Sequence, residues 1–187
     1  FWQAQHCNVL FVEQRAHGDS QGNYLGFGLL ERSDCQQWAI WADKQNFGLP
    51  IYLAGISMGA TTVLMAAGLA LPDSVRGILA DCGFTSPRDI CVHVAKDNLH
   101  VSYGPLRSAW IDRCFRKKIH MASGAYSTLT AMRNTQIPIL FIHGTADNFV
   151  PIDMTYRNYR ACAAQKRLVV VPGAGHAMSY AVEPETC

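Results

Sequence analysis

The chain has 187 residues, of which 49% are hydrophobic, and a chain of this length buries about 70% of its unfolded surface, enough for one core. The 16 basic and 14 acidic residues leave a net charge of +2, which provides no broad basic field for nucleic acid or an anionic membrane. We therefore expect a single domain over residues 1–187 that binds a small molecule and no nucleic acid.

Five short apolar runs along the chain have the composition and length of buried strands. They cover residues 9–12, 51–54, 75–80, 137–142 and 168–171. Segments of helical character lie between them at 25–46, 58–71, in several pieces within 87–133, and at 152–165. This alternation predicts a three-layer α/β/α fold around a mostly parallel sheet of about five strands. In such sheets the ligand lies beyond the carboxyl ends of the strands.

The segment 83–136 is too long for a plain crossover between two strands. It contains Pro87, Gly104 and Pro105 and a basic run at 113–118. We predict that it forms a cap-like insertion beside the site. Its basic side chains are explained either as a contact for an acidic substrate or, as we prefer, as a solvated cap surface.

The strand at 51–54 runs into Gly55-Ile56-Ser57-Met58-Gly59, a G-x-S-x-G pattern that a helix rich in small residues follows. A sharp strand-to-helix turn strains the serine backbone and exposes its hydroxyl, and Gly55 and Gly59 remove side chains that would collide there. The Met58 N–H lies at the helix N-terminus and can donate to an oxyanion. Ser57 is the predicted nucleophile; the alternative is a plain Gly/Ser turn between two buried elements.

A serine nucleophile requires a base and an acid further along the chain. Asp147 lies in the loop after the strand at 137–142, and His176 lies in the loop after the strand at 168–171. We predict that Asp147 orients His176 and that His176 is the general base. Asp81, at the end of the strand at 75–80, is a reserve candidate for the acid, and His143 is expected to position the Asp147 loop.

Together these motifs resemble the α/β-hydrolase superfamily, most closely bacterial esterase or peptidase-like members with an R-x-H-G-x-S element. The resemblance covers nearly the whole chain and rests on five segments: residues 14–22, the elbow at 55–59, Asp81-Cys82-Gly83-Phe84, the stretch 143–151, and Gly173-x-Gly175-His176. It implies that Ser57, Asp147 and His176 form the catalytic triad. It leaves the substrate open.

In the resembled family, the run at 9–12 and the loop after it correspond to the fourth strand, so the first three strands have no counterpart here. We therefore expect the run at 9–12 to pair with the strand at 51–54 or to leave room for another strand. Open apolar edges invite association, so we expect a homo-oligomer or binding of the missing part.

The missing strands also affect the expected oxyanion hole, whose second donor in the family comes from the loop after strand three. The backbone N–H groups of Ala16, His17 or Gly18 are candidates to replace it. For Arg15 and His17 we prefer a structural role, in which they pack the loop beside the site.

The seven cysteines are odd in number and scattered, and none forms a C-x-x-C pair. This pattern argues against a disulfide framework and a zinc site and favours a reducing, cytoplasmic location. No signal-peptide pattern opens the chain. The uncharged stretch 49–72 is long enough to span a membrane, but its glycines and hydroxyl groups favour a strand, a turn and a buried helix, so we expect no membrane span.

We predict a carboxylesterase that cleaves short- to medium-chain acyl esters through an acyl-enzyme, with no metal and no organic cofactor. Two alternatives remain open. One is a serine peptidase or amide hydrolase on the same triad. The other is a catalytically weak fragment whose role is binding or assembly.

Overall fold

A computed structural model describes residues 2–185 of the chain, and its centre is a sheet of four parallel strands. The strands are β1 (Ile51–Ile56), β2 (Val75–Asp81), β3 (Ile139–Gly144) and β4 (Lys166–Val171), adjacent in that order. The helices are α1 (Glu31–Lys44), α2 (Met58–Ala66), α3 (Pro87–His93), α4 (Pro105–Ile119), α5 (Thr128–Asn134), α6 (Ile152–Ala161) and α7 (Ser179–Val182). A π-helical turn (Val94–Asn98) follows α3. The predicted α/β class with a parallel sheet is confirmed.

The largest core cluster lies between the sheet and the helices on one of its faces. Its buried side chains come from α2, α5, β2, β3 and the segment after α6, and include Val63, Leu64, Met132, Ile78, Phe141 and Cys162. Fully burying an aliphatic or aromatic side chain of this size contributes about 1.5–3 kcal/mol. This packing fixes the position of α2, and therefore of the turn that precedes it, against the sheet.

The opposite face of the sheet is open at β1. Side chains alternate in exposure along this strand, and Tyr52 and Ile56 are 57% and 55% exposed. Because successive side chains of a strand point to opposite faces, these two residues mark the uncovered face. Within residues 2–185, no helix shields these two side chains of β1.

The prediction of a fifth strand at residues 9–12 is wrong. These residues are not in a strand, and Val9, Leu10 and Phe11 are 51%, 52% and 86% exposed. In the described part of the chain, β1 pairs with β2 alone. A strand needs backbone hydrogen bonds to a neighbouring strand. The apolar residues at 9–12 favour an extended conformation, but they do not provide a strand to pair with.

The segment 83–136 contains α3, the π-helical turn, α4 and α5. Ala131 and Met132 of α5 belong to the main core, whereas α4 buries only Ile119. Part of the segment thus belongs to the core, and the cap-like insertion at 83–136 stays a prediction. Helix α4 is the most exposed helix of this segment. The stretch 49–72 contains β1 and α2, and no helix within residues 2–185 has the length and apolar character that a membrane crossing requires.

Candidate active site

Ser57 occupies the turn between β1 and α2 in a strained backbone conformation. Its φ and ψ angles are 55° and −114°, a region that a residue with a side chain rarely adopts. The Ser57 N–H donates to the Asp81 carbonyl at 2.8 Å, which ties the turn to the end of β2. A Cβ atom on Gly55 would lie 2.3 Å from the Gly59 carbonyl carbon. The turn is therefore tight at Gly55, whereas the predicted collision at Gly59 is wrong, because a Cβ there would come no closer than 3.6 Å to the Gln14 amide nitrogen.

One chain of hydrogen bonds joins Ser57, His176 and Asp147. The distance from Ser57 Oγ to His176 Nε2 is 2.9 Å, and the distance from His176 Nδ1 to Asp147 Oδ2 is 2.7 Å. A carboxylate accepts the proton on Nδ1, so Nε2 is the acceptor for the Ser57 hydroxyl. The Asp147 side chain is fully buried, and the His176 side chain is 27% exposed. The His176 imidazole is therefore accessible to solvent, whereas the Asp147 carboxylate that orients it is shielded from solvent.

The other oxygen of the Asp147 carboxylate is held by its own loop. Oδ1 accepts hydrogen bonds from the backbone N–H groups of Phe149 and Val150, each at 2.9 Å. A buried carboxylate oxygen needs hydrogen-bond donors, and these two N–H groups supply them. The loop after β3 therefore fixes the acid in place with Oδ2 directed at His176.

His143, the last residue but one of β3, lies beneath the acid. Its Nε2 is 2.9 Å from the Val150 carbonyl oxygen and 3.2 Å from Asp147 Oδ2, and its Nδ1 is 2.7 Å from Thr155 Oγ1. Burial lowers the pKa of His143, so the neutral ring donates from Nε2 and accepts the Thr155 hydroxyl at Nδ1. His143 thus connects the acid loop to α6.

Asp81, the reserve candidate for the acid, bonds to Ser179 and not to His176 in this structure. Its Oδ1 accepts a hydrogen bond from Ser179 Oγ at 3.0 Å, whereas His176 Nδ1 bonds to Asp147. Burial raises the pKa of the Asp81 carboxyl, and the Ser179 hydroxyl opposes this shift. Asp81 instead links the end of β2 to α7, the helix after the histidine loop.

A buried thiol lies next to the triad. The potential ligand atoms of Cys82, Asp147 and His176 all lie within 4.8 Å of one another. Asp147 and His176 are bonded to each other, and burial raises the pKa of the Cys82 thiol to about 12. Because metals bind the thiolate rather than the thiol, this donor set fits a hydrogen-bonded triad better than a metal centre.

Residues 3–186 match the sequence model of the alpha/beta hydrolase family. The chain belongs to the alpha/beta hydrolase family. The predicted resemblance is therefore confirmed.

Among curated sequences, the uncharacterized protein YqkD of Bacillus subtilis (strain 168) is 29% identical to this alpha/beta hydrolase over 174 residues. The match covers 92% of this chain and 57% of YqkD. The chain spans just over half the length of the curated relatives it matches.

Solved structures with the same fold include esterases and a peptidase. The Pyrococcus furiosus esterase Pf2001 has a TM-score of 0.62 and 24% identity, and the match covers 92% of this chain and 63% of the esterase. A Mycobacterium tuberculosis puromycin-hydrolyzing peptidase has a TM-score of 0.61 and 21% identity, with 81% of this chain and 22% of the peptidase covered. At these identities the likeness shows the fold alone.

In this alpha/beta hydrolase, the N–H group of Met58 is the first of α2 and has no partner within the helix. The candidate second donors lie in the loop before α1, where the Ala16 N–H donates to Gln21 and the His17 N–H donates to Gln14, both at 3.1 Å. These two groups already have acceptors, and Gly18 lies against the Glu13 carboxylate, so the second oxyanion donor stays a prediction. Arg15 forms an ion pair with Asp34 of α1 at 2.5 Å, in agreement with its structural interpretation.

Two side chains near the triad carried no signal in the sequence. The Phe149 ring packs edge-on against the His176 ring at 5.1 Å. The Gln14 amide nitrogen would lie 3.6 Å from a Cβ on Gly59, and the Gln14 Oε1 atom is buried without a hydrogen-bond partner in the described part of the chain. Phe149 follows the acid Asp147 and Gln14 precedes Arg15, so both residues lie beside a recognisable motif. The motif does not predict the direction of their side chains.

Proposed function

We propose that this alpha/beta hydrolase is a serine carboxylesterase that cleaves short- to medium-chain acyl esters. The observation that supports it is the hydrogen-bonded chain from Ser57 Oγ through His176 to the buried Asp147. Proton transfer needs such contacts, with heavy atoms about 2.6–3.2 Å apart.

The first half of the reaction forms an acyl-enzyme. His176 Nε2 takes the proton from the Ser57 hydroxyl, and Ser57 Oγ attacks the ester carbonyl carbon. The electrons of the carbonyl bond move to its oxygen, and the Met58 N–H at the start of α2 stabilises the resulting oxyanion. The tetrahedral intermediate then collapses, the bond to the leaving oxygen breaks, and the alcohol departs with the proton from His176.

The second half reverses these roles with water as nucleophile. His176 removes a proton from water, the hydroxide attacks the acyl carbon, and the bond to Ser57 Oγ breaks. The serine recovers its proton from His176 and the acid product leaves. Asp147 accepts the hydrogen bond from His176 Nδ1–H throughout and stabilises the imidazolium that forms in each half.

An ester is the favoured substrate because its leaving group departs readily. Met58 is the one oxyanion donor that this mechanism uses, and the loss of one donor typically costs about 10²- to 10³-fold in turnover. An amide needs both a protonated leaving nitrogen and a complete oxyanion hole. The peptidase alternative shares the triad and is the second candidate, because a puromycin-hydrolyzing peptidase has the same fold.

The test compares hydrolysis of p-nitrophenyl butyrate by the chain and by its Ser57→Ala variant. Ser102→Ala is the matched control, because Ser102 is an exposed serine in the segment before α4. We expect the first variant to lose at least about 10⁴-fold in kcat and the control to keep its activity. Equal activity in the Ser57→Ala variant would overturn the proposal, and faster cleavage of the butyryl anilide than of the ester would favour the peptidase.

Inactivity of the folded chain towards esters and anilides would favour the third alternative, a weak fragment with a role in binding or assembly. Circular dichroism of the same samples establishes that the chain is folded, which separates this result from simple misfolding.

A further inference from the structure

Helix α4 carries two large apolar side chains on its exposed surface. Leu106 is 89% exposed and Trp110 is 67% exposed. They are four residues apart, so they lie one above the other on the same helix face. Arg113 and Lys117 continue this face at the next helical spacings and are exposed. The stripe is therefore apolar in its first half and basic in its second.

The charge of α4 is strongly one-sided. Its basic residues are Arg107, Arg113, Arg116, Lys117 and Lys118, and Asp112 is its one acidic residue. The Asp112 side chain is 17% exposed and pairs with Arg88 of α3 at 2.6 Å. Lys118 donates to Tyr24 at 2.9 Å. No ion pair within residues 2–185 neutralises the other four cations.

Exposed tryptophan and leucine beside unpaired lysine and arginine are the features of helices that lie in the interface of a bilayer. Tryptophan suits the headgroup level, and the long basic side chains reach the phosphates while their methylene stems cover apolar surface. We infer that the exposed face of α4, defined by Leu106, Trp110, Arg113 and Lys117, docks on an anionic lipid surface.

A second copy of the chain fits this face poorly. Two α4 helices packed through it would bring four unpaired cations of one copy against four of the other, and like charges that meet across an interface cost several kcal/mol. An anionic bilayer complements the cations and accepts the two apolar side chains at once. The charge pattern therefore favours lipid over self-association.

The docking face adjoins the π-helical turn, because Ala95 of that turn and Leu106 and Trp110 of α4 line one surface cavity. Asn98 of the same turn donates from Nδ2 to the Asn148 carbonyl at 3.1 Å, and Asn148 follows the acid Asp147. Val94 of the turn and Met58 pack against the same buried cluster, which includes Phe84. Binding through α4 would thus hold the acid loop near the lipid surface. If the proposed esterase function holds, esters dispersed in anionic bilayers are its natural substrate class.

The experiment is flotation of the chain with vesicles of phosphatidylcholine alone or mixed with phosphatidylglycerol. We expect binding to the anionic vesicles only, weakened by salt. Each basic residue near an anionic surface is worth about 1 kcal/mol, so Arg113→Gln with Lys117→Gln should lower the partition coefficient by about 30-fold. Leu106→Gln with Trp110→Gln should lower it by at least about tenfold.

The matched control is Arg76→Gln with Arg167→Gln, which removes the same charge from exposed positions near the amino-terminal ends of β2 and β4. An equal loss in this control, equal binding to phosphatidylcholine, or no binding to either vesicle would overturn the inference. Binding to polyglutamate but not to anionic vesicles would also overturn it and would make α4 a surface for acidic proteins. The Ser57→Ala variant should bind vesicles like the parent chain, so failure of the esterase proposal is distinguishable.

Discussion

The orientation of one imidazole ring decides whether Ser57 can act as a nucleophile. Asp147 holds the proton on Nδ1 of His176, so the lone pair of Nε2 faces the serine. His143 acts one step further away, because its ring lies between the acid loop and α6. It contacts no reacting atom and is a positioning residue.

Replacement of His143 by leucine should slow turnover without weakening substrate binding. The variant leaves the Val150 carbonyl and the Thr155 hydroxyl without their partner, and each unsatisfied buried group costs about 1–3 kcal/mol. We expect kcat to fall by about tenfold, KM to change little, and the free energy of unfolding to fall by about 2–6 kcal/mol. Steady-state kinetics and urea unfolding measure these effects.

Thr155→Val is the matched control for this prediction, since it removes only the contact to His143 Nδ1 and should show the smaller loss in both measurements. An unchanged kcat in the His143→Leu variant would show that the acid loop holds itself in place.

At the level of single residues, the sequence predicted the three members of the hydrogen-bonded triad because each follows a strand and the strands are parallel. Carboxyl ends of parallel strands meet at one edge of a sheet, so the positions of Ser57, Asp147 and His176 follow from topology. The contacts of Phe149 and Gln14 depend on side-chain direction within loops. No spacing rule specifies that direction.

Among the elements, the β1–α2 turn depends most on a single glycine. A side chain at position 55 would overlap the Gly59 carbonyl group and approach the Ala60 nitrogen at 2.6 Å. We expect Gly55→Ala to lower the free energy of unfolding by about 3 kcal/mol. We also expect the variant to lose a larger fraction of its esterase activity than of its stability. Gly104→Ala is the control, because no atom lies within 4 Å of a Cβ there. Equal stability of the two variants in thermal unfolding would contradict the tight turn.

The contact between β2 and α7 should make stability depend on pH. Burial raises the folded-state pKa of Asp81 above its ordinary value of 3.8, so the unfolded chain releases this proton more readily. The stability linked to the neutral carboxyl is complete below the ordinary pKa and is lost as pH rises through the folded pKa. Asp81→Asn removes the charge and keeps an oxygen that can accept from Ser179.

We therefore expect Asp81→Asn to gain stability relative to the parent chain as pH increases from 4 to 8, measured by urea unfolding at several pH values. A difference between the two proteins that stays constant over this range would contradict the shifted titration of Asp81.

Element boundaries show where local pattern and tertiary contacts disagree. The helical pattern at 25–46 predicts a longer helix than α1, which begins at Glu31. The buried Glu31 carboxylate accepts from the N–H groups of Gly26 and Gly28 at 2.6 and 2.8 Å. These bonds hold the preceding loop, where Phe27 and Gly28 have positive φ angles, out of the helix. Periodicity alone does not reveal such a contact.

For the whole molecule, the open face and edge of β1 predict that copies of the chain associate. The structure of a single chain does not test this prediction. Tyr52 and Ile56 lie exposed on a strand whose outer edge is unpaired within residues 2–185, and such edges favour pairing with another strand. We expect size-exclusion chromatography with light scattering to show a homo-oligomer. A monomer at all concentrations would contradict this prediction.

Tyr52→Lys should shift this equilibrium towards the monomer, since a lysine on an exposed edge strand opposes pairing. Leu99→Lys is the control, because Leu99 is 64% exposed at the end of the π-helical turn. If both variants dissociate equally, the contact surface lies elsewhere.

Covalent labelling tests whether the turn, the histidine and the buried acid make Ser57 a nucleophile. A fluorophosphonate would react by forming a bond from Ser57 Oγ to phosphorus as fluoride leaves, and peptide mass spectrometry would locate the adduct. We expect labelling at Ser57 that falls at least about 10³-fold in rate in the His176→Ala variant. Labelling of other serines at the same rate, or labelling that does not depend on His176, would contradict the account.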